Sequence, residues 1–198
     1  MEIAVPQRKG DPIIVRGDEG VHKLNEDKMR KLRGAFNRDN GTVTAANSSQ
    51  LSDGAAVVIV CSGKYIKEHQ LVPLAEIMSF ADAAQDPEDF PTTPSLAIPK
   101  AMKRMNLKME DLDFERDYFE INEAFSAAGV INAKLLKVPL ENVNVHGGAV
   151  GMGHPLGCSG ARIIVTLLNA LKQKKGRYGI AGICNGGGGA SAMIIKNM

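Results

Sequence analysis

Within residues 155–172, Ile163, Ile164, Leu167, Leu168 and Leu171 recur at i, i+1, i+4, i+5 and i+8. That spacing lays an apolar stripe along one side of a helix, and such a stripe must be buried against another layer. Pro155 suits the first position of this helix, where a missing N–H costs nothing. Apolar runs of strand length flank it, at 55–61, 74–84 and 118–121 before it and at 178–184 and 190–196 after it. Helices are expected over 64–70, 95–105 and 123–136, and an extended piece over 42–44. The run 55–61 is apolar without a break, which reads as a strand covered on both faces. Residues 85–94 contain three prolines and read as loop. Strands and helices in alternation imply an α/β fold, layered α/β/α around a mixed five-stranded sheet.

Residues 1–40 are of a different kind: polar, charged and interrupted by Gly10, Gly17 and Gly20. Asn25 can cap a short basic helix with Met29, Leu32 and Phe36 on one side. The expected division is therefore a loop-rich segment, 1–40, followed by a core domain, 41–198. The start resembles the middle of a longer protein. No repeat of 20 to 50 residues is visible.

Charge argues against a nucleic-acid partner, because 24 basic and 22 acidic residues leave a net charge of only +2. Basic residues gather weakly in 23–38 and 172–177, a pattern that a solvated helix face also explains. Three cysteines, Cys61, Cys158 and Cys184, form no C-x-x-C pair, which favours a reducing compartment over a disulfide framework. His22, His69, His146 and His154 have no zinc-ligand spacing with them. No apolar run reaches the length of a membrane span, and the N-terminus has neither a signal-peptide pattern nor an Arg-rich presequence. The glycines from Gly151 do not form a nucleotide-phosphate loop.

Three stretches carry chemistry: Asn122-Glu123-Ala124-Phe125, Gly153-His154-Pro155-Leu156-Gly157, and Cys184-Asn185 followed by Gly186 to Gly189. His154 stands just before the expected helix, whose N-terminal dipole disfavours an imidazolium. It is either a capping or packed histidine, or a neutral imidazole that accepts a proton from a thiol or donates an N–H to a thioester oxygen, and the glycines around it favour access by a substrate. Cys184 is either a buried structural thiol or an acid–base group beside glycines whose N–H groups can face an oxyanion. Asn122 is either a helix N-cap or an amide that holds a water or a carbonyl beside His154. Cys158, four residues after His154, makes a Cys–His dyad conceivable, although a thiol in an apolar helix stays protonated.

These motifs resemble the C-terminal half of the thiolases, together with Gly41-Thr-Val-Thr-Ala-Ala-Asn-Ser-Ser49, Asp53-Gly-Ala-Ala, Gly147-Gly-Ala-Val, Ser159-Gly-Ala-Arg and Cys184-Asn-Gly-Gly-Gly. Phe80-Ala-Asp-Ala-Ala with Asp89-Phe-Pro is similar to the mitochondrial acetoacetyl-CoA type. The resemblance implies an acyltransferase that forms or cleaves acetoacetyl-CoA from two acetyl-CoA. His154, Cys184, Asn122 and Gly186 would be catalytic. His154 helps the family's N-terminal-half cysteine to take an acetyl group, and Cys184 removes a methyl proton from a second acetyl-CoA. Asn122 holds a water that, with His154, makes one oxyanion hole, and the Gly186 N–H contributes to the other.

By the same resemblance, residues 1–40 end a CoA-binding loop domain. Lys23, Leu24, Asn25, Lys28 and Ser49 would contact coenzyme A, a substrate rather than a tightly bound cofactor, while Phe36, Phe90 and Phe125 line the acyl tunnel. Backbone oxygens of Ala45, Ala46, Ser48 and Val150 would hold a potassium ion. The full-length protein is expected to be a homo-oligomer in the mitochondrial matrix or the cytoplasm, without nucleic-acid or membrane partners. The acyl-accepting cysteine of the family's first half has no match in this sequence, so the chain alone is expected to be inactive and to expose apolar surface. The alternatives are a non-catalytic CoA-binding or assembly module that needs a separate N-terminal half, and an independent thiol enzyme using Cys158 or Cys184.

Overall fold

The computed structural model describes residues 2–18, 20 and 24–198, which divide into two compact units, Met1–Leu32 and Arg33–Met198. In the first unit β1 (Ile3–Val5) pairs antiparallel with β2 (Ile13–Val15). The short helix α1 (Glu26–Met29) begins as the sequence implies: Asn25 Oδ1 accepts from the Lys28 N–H at 2.9 Å. It ends at Met29, so Leu32 and Phe36 are not carried on it.

The second unit contains α2 (Gly63–Glu68), β3 (Ala75–Ala84), α3 (Pro94–Arg104), β4 (Tyr118–Ile121), α4 (Ser126–Leu136), α5 (Ala149–Met152), α6 (Ser159–Lys174), β5 (Tyr178–Cys184) and β6 (Gly189–Asn197). Its sheet runs β3-β6-β5-β4, antiparallel except for the parallel pair β4/β5. Side chains alternate across this sheet, as the pleat requires. Phe119, Ile121, Ile180 and Ile194 pack with Ile98, Ala101 and Met102 of α3 in one cluster. Tyr118, Ala181 and Ile195 pack with Ile163, Leu167 and Leu171 of α6 in the other. The layers are thus α/β/α, and the stripe on α6 is the surface that covers the second face.

At the entry to β4 the fully buried Asp117 gathers several donors. Its carboxylate accepts from Arg177 Nε at 3.1 Å, from Arg177 Nη2, from the Tyr178 N–H at 3.0 Å and from the Asp113 N–H at 2.8 Å. One side chain thereby ties the starts of the two parallel strands together.

Four expectations need correction. The sheet has four strands, not five, because residues 55–61 form no strand. Val57 and Ile59 are 82% and 87% exposed, and no described segment pairs with this run or covers it. An unbroken apolar run becomes a buried strand only where both faces are covered. Residues 42–44 are not a strand either. Asn47 fixes them as a turn, accepting from the Thr44 N–H at 2.7 Å and donating to Thr42 O at 2.8 Å. The long helix begins at Ser159 rather than Pro155, since Pro155 O closes a turn with the N–H groups of Cys158 (2.8 Å) and Ser159 (2.9 Å). Likewise α4 begins at Ser126, not at residue 123.

Candidate active site

Asn122 and Cys184 stand at the carboxyl ends of the parallel neighbours β4 and β5, where open α/β sheets place their ligands. The Asn122 N–H extends the ladder by donating to Gly182 O at 2.9 Å. Asn122 therefore caps no helix, and its buried side chain is free for the site. His154 arrives on the turn before α6, held by its own N–H donating to Gln50 O at 2.8 Å. A cleft of about 510 Å³ is lined by His154, Cys184, Gly186, Ser49, Phe90 and Phe125, among others.

The hydrogen bonds fix how these groups point. Ser159 Oγ lies 2.6 Å from His154 Nδ1 and 3.1 Å from Pro155 O; with its one proton on the Pro155 carbonyl, it accepts from an Nδ1–H. That leaves a lone pair on Nε2, which Asn122 Nδ2 faces at 3.2 Å. Burial, and then the nearby Arg162 charge, push the His154 pKa down, favouring this neutral form. The expected cause, an adjacent helix N-terminus, does not apply, because four residues separate His154 from α6. The spacing argument for a His154–Cys158 dyad also lapses: Cys158 precedes α6 rather than sharing a helix with His154, and it is Ser159 that meets the ring.

Burial raises the Cys184 thiol above its ordinary value, more than its own backbone N–H lowers it. A buried thiol of this kind is protonated at neutral pH and strongly basic once ionised. Beyond it, Asn185 Oδ1 accepts from the N–H groups of Gly187 (3.1 Å) and Gly189 (3.3 Å), which closes the hairpin turn. Gly188 must be glycine here: its φ is +88°, and a Cβ would strike Gln85 O. The Gly186 N–H donates to no acceptor among the described residues and is available to an oxyanion.

The aromatic residues expected in the tunnel come together. Phe36 meets Phe125 edge-on at 5.6 Å and Phe90 lies 6.3 Å from Phe125. Ser49 Oγ donates to Ala124 O at 3.0 Å, beside the cleft. Lys23 lies outside the described residues, and Leu24, Asn25 and Lys28 belong to the first unit. Ala45, Ala46 and Ser48 lie in the turn at 44–48, where Ser48 Oγ donates to Thr44 O at 2.7 Å; the Val150 N–H donates to Glu123 Oε2 at 3.2 Å. No group of three His, Cys, Asp or Glu side chains among the described residues could hold a metal ion, so any cation here would rely on backbone oxygens.

Several residues around the site escaped the sequence reading. Glu120 is buried on β4, and Arg162 Nη1 donates to its Oε1 at 2.9 Å while Nη2 donates to Asn122 Oδ1 at 3.3 Å. Glu123 accepts from Asn144 Nδ2 at 3.1 Å as well as from Val150, and a Cβ on Gly148 would run into its carboxylate. A signal existed: a carboxylate inside Tyr-Phe-Glu-Ile, a strand apolar on both sides, requires a buried partner.

Burial pushes Glu120 up to about 7 despite the opposing pull of Arg162. A carboxyl raised in this way contributes stability in full below its unfolded value, and loses it as pH rises through the folded one. Relative to Glu120→Gln, the wild-type chain is therefore expected to lose up to about 3 kcal/mol of stability between roughly pH 4.5 and 7, which urea unfolding at successive pH values measures.

An imidazole and a thiol lining one cleft, an amide buried against the imidazole, and a Gly186 N–H without an acceptor among the described residues suit proton transfer next to a developing oxyanion. Comparisons with known proteins give the family. Residues 71–197 match the family described as thiolase, C-terminal domain, and residues 1–64 match thiolase, N-terminal domain. The chain belongs to the thiolase family. It is 52% identical over 191 residues to acetyl-CoA acetyltransferase IB of Candida tropicalis, covering 96% of this chain and 46% of that protein. It is 52% identical over 197 residues to acetyl-CoA acetyltransferase 1 of Arabidopsis thaliana, covering 99% and 46%. Among solved structures, the Bacillus anthracis acetyl-CoA acetyltransferase superposes with a TM-score of 0.88 at 38% identity, covering all of this chain and 49% of the other. The Ascaris suum thiolase in complex with coenzyme A gives 0.81 at 42% identity, over 93% and 47%. The chain spans about half the length of the curated relatives it matches.

Proposed function

We propose that this chain takes part in forming or cleaving acetoacetyl-CoA, by Claisen condensation of two acetyl-CoA and its reverse. The observation that carries the reading is one cleft lined by His154, Cys184 and Gly186, with the buried Asn122 amide 3.2 Å from the His154 Nε2. In the condensation, the Cys184 thiolate takes a proton from the methyl group of acetyl-CoA. The enolate oxygen is held by a water on Asn122, and by His154 once its Nε2 has taken up a proton. The carbanion then attacks an acetyl thioester: a C–C bond forms, the C–S bond breaks, and the departing thiolate takes its proton back from the site. The acyl-accepting thiol belongs, on this reading, to a cysteine outside these 198 residues.

Coenzyme A is the substrate carrier in this proposal. Lys23, Leu24, Asn25, Lys28 and Ser49 would contact it, and Phe36, Phe90 and Phe125 would line the acyl tunnel. Backbone oxygens are the donors a potassium ion takes, and the carbonyls of Ala45, Ala46, Ser48 and Val150 accept no backbone N–H among the described residues, which fits that role. The ion would supply charge there and tie the turn at 44–48 to α5. A reducing compartment suits three free thiols, and one relative, from Gibberella zeae, is named as cytosolic. Among the described residues no helix is long and apolar enough to cross a membrane.

A second reading, a module that binds coenzyme A and assembles with a separate N-terminal half, draws on the exposed apolar side chains. Val57, Ile59, Val60 and Val72 are 82%, 87%, 70% and 90% exposed. Exposure on this scale marks an association surface.

The two readings part in one assay that needs no acyl-accepting cysteine. Acetyl-CoA incubated with the chain in heavy water is expected to gain deuterium at its methyl group, followed by proton NMR. Cys184→Ala is expected to lower that exchange at least about a hundredfold. Wild-type exchange should climb with pH through and beyond the ordinary thiol range, because burial raises this thiol. Coenzyme A binding without any exchange leaves the binding module standing and removes the proton-transfer role.

A further inference from the structure

We propose that Arg162, anchored by Glu120, is a positioning residue that holds the Asn122 amide with its NH2, and not its carbonyl, toward His154. This rests on the reading that Asn122 and His154 handle the thioester. An amide next to an imidazole has two orientations, and the chemistry differs between them. With NH2 facing Nε2, the ring keeps a lone pair ready for a proton. With the carbonyl facing it, the ring is driven to carry its proton on Nε2.

Arg162 decides the orientation because a guanidinium has only donors, so the group it meets on Asn122 must be Oδ1. Arg162 Nη2 is the one donor to that oxygen among the described residues, at 3.3 Å. Flipping the amide would place its N–H groups against the guanidinium and its oxygen against the Nε2 lone pair, replacing two attractive contacts with two repulsive ones. Glu120 fixes the other end of the fork at 2.9 Å. Glu120 and Asn122 are two residues apart at the end of β4 and therefore face the same side, which is why one planar fork spans them.

Arg162 also lies three residues after Ser159 on α6, and residues so spaced share a helix face. One helix thus grips His154 at both ring nitrogens, directly through Ser159 on Nδ1 and through Arg162 and Asn122 on Nε2. The other titratable groups here are Glu120, which holds Arg162, and Cys184, which lines the cleft with the ring.

The test is long-range ¹H–¹⁵N NMR of the histidine rings in the 198-residue chain, which does not depend on turnover. In the wild type, neutral His154 is expected as a single tautomer, protonated on Nδ1. Arg162→Met frees the amide to flip and removes the charge. A second tautomer should then appear, and the His154 titration should move up. Arg162→Lys retains the charge without the fork, so the titration should stay near the wild-type midpoint while the second tautomer still appears. If Arg162→Met fails to fold, Arg162→Lys carries the test. A single Nδ1-protonated tautomer in the folded Arg162 variants overturns the proposal. In the deuterium-exchange assay both variants should lower the saturated rate and leave the half-saturating acetyl-CoA concentration unchanged. Absence of exchange in the wild type defeats the functional reading and leaves the ring-nitrogen result standing.

Discussion

Asp117→Ala is expected to cost about 3–5 kcal/mol of stability, the range for breaking a buried, hydrogen-bonded charge pair. The residue is completely buried, and its carboxylate serves two backbone N–H groups as well as the Arg177 guanidinium. An alanine leaves the Asp113 and Tyr178 N–H groups without an acceptor at the point where β4 and β5 begin their parallel pairing. It also returns Arg177, whose pKa the Asp117 hydrogen bond raises, to its ordinary environment. Against a typical total of about 5–15 kcal/mol the loss is large, and for a chain of this size it corresponds to a melting temperature lower by about 10 °C. Calorimetry or urea unfolding reads it directly. Asp117→Asn retains the shape and one acceptor oxygen, so it should lose clearly less. Equal losses for the two variants would show that the charge, and not the N–H satisfaction, is what holds this corner.

His154→Ala is expected to reduce deuterium exchange at the acetyl-CoA methyl by roughly 10²–10⁴-fold, the span that general acid–base and oxyanion groups ordinarily contribute. Coenzyme A affinity should change little, since the imidazole acts on the reacting carbonyl and not on the carrier. Stability near neutral pH should fall, because alanine removes a buried ring that is hydrogen-bonded at both nitrogens. A buried histidine with a lowered pKa contributes stability above its unfolded value of 6.5 and loses it as pH falls through the folded one. The variant's stability is therefore expected to fall less steeply than the wild type's as pH drops below 6.5. Undiminished exchange in His154→Ala would take the imidazole out of the chemistry.

Much of the fold can be read from periodicity. The stripe on α6, the apolar runs that become β5 and β6, and the α/β layering all follow from spacing alone, because burial on one or both faces leaves its mark on composition. Termini and partners do not. The start of α6 depends on whether Pro155 enters the helix or closes a turn, and that is settled by the Pro155 carbonyl and the tie from His154 to Gln50, a residue about a hundred positions away. Residues 55–61 have the composition of a core strand, yet nothing in their own sequence states what must cover them. In the site, His154, Cys184 and Asn122 stand out because glycines and turns surround them. Glu120 and Arg162 are 42 positions apart, and only the fold reveals that they form a pair.

The hairpin turn after Cys184 offers its free donor at Gly186 from the main chain. Such a donor is silent in a side-chain scan: alanine, serine or any other ordinary replacement at this position retains the same N–H. Variant libraries that rank residues by tolerance would therefore score Gly186 as a matter of turn shape and miss its polarity. Only a change that deletes the hydrogen itself, through proline or an amide-to-ester exchange in a semisynthetic chain, interrogates that group. For the same reason, drift in the surrounding sequence can alter the turn's side chains freely while the electrostatics it presents to a bound oxygen stay constant.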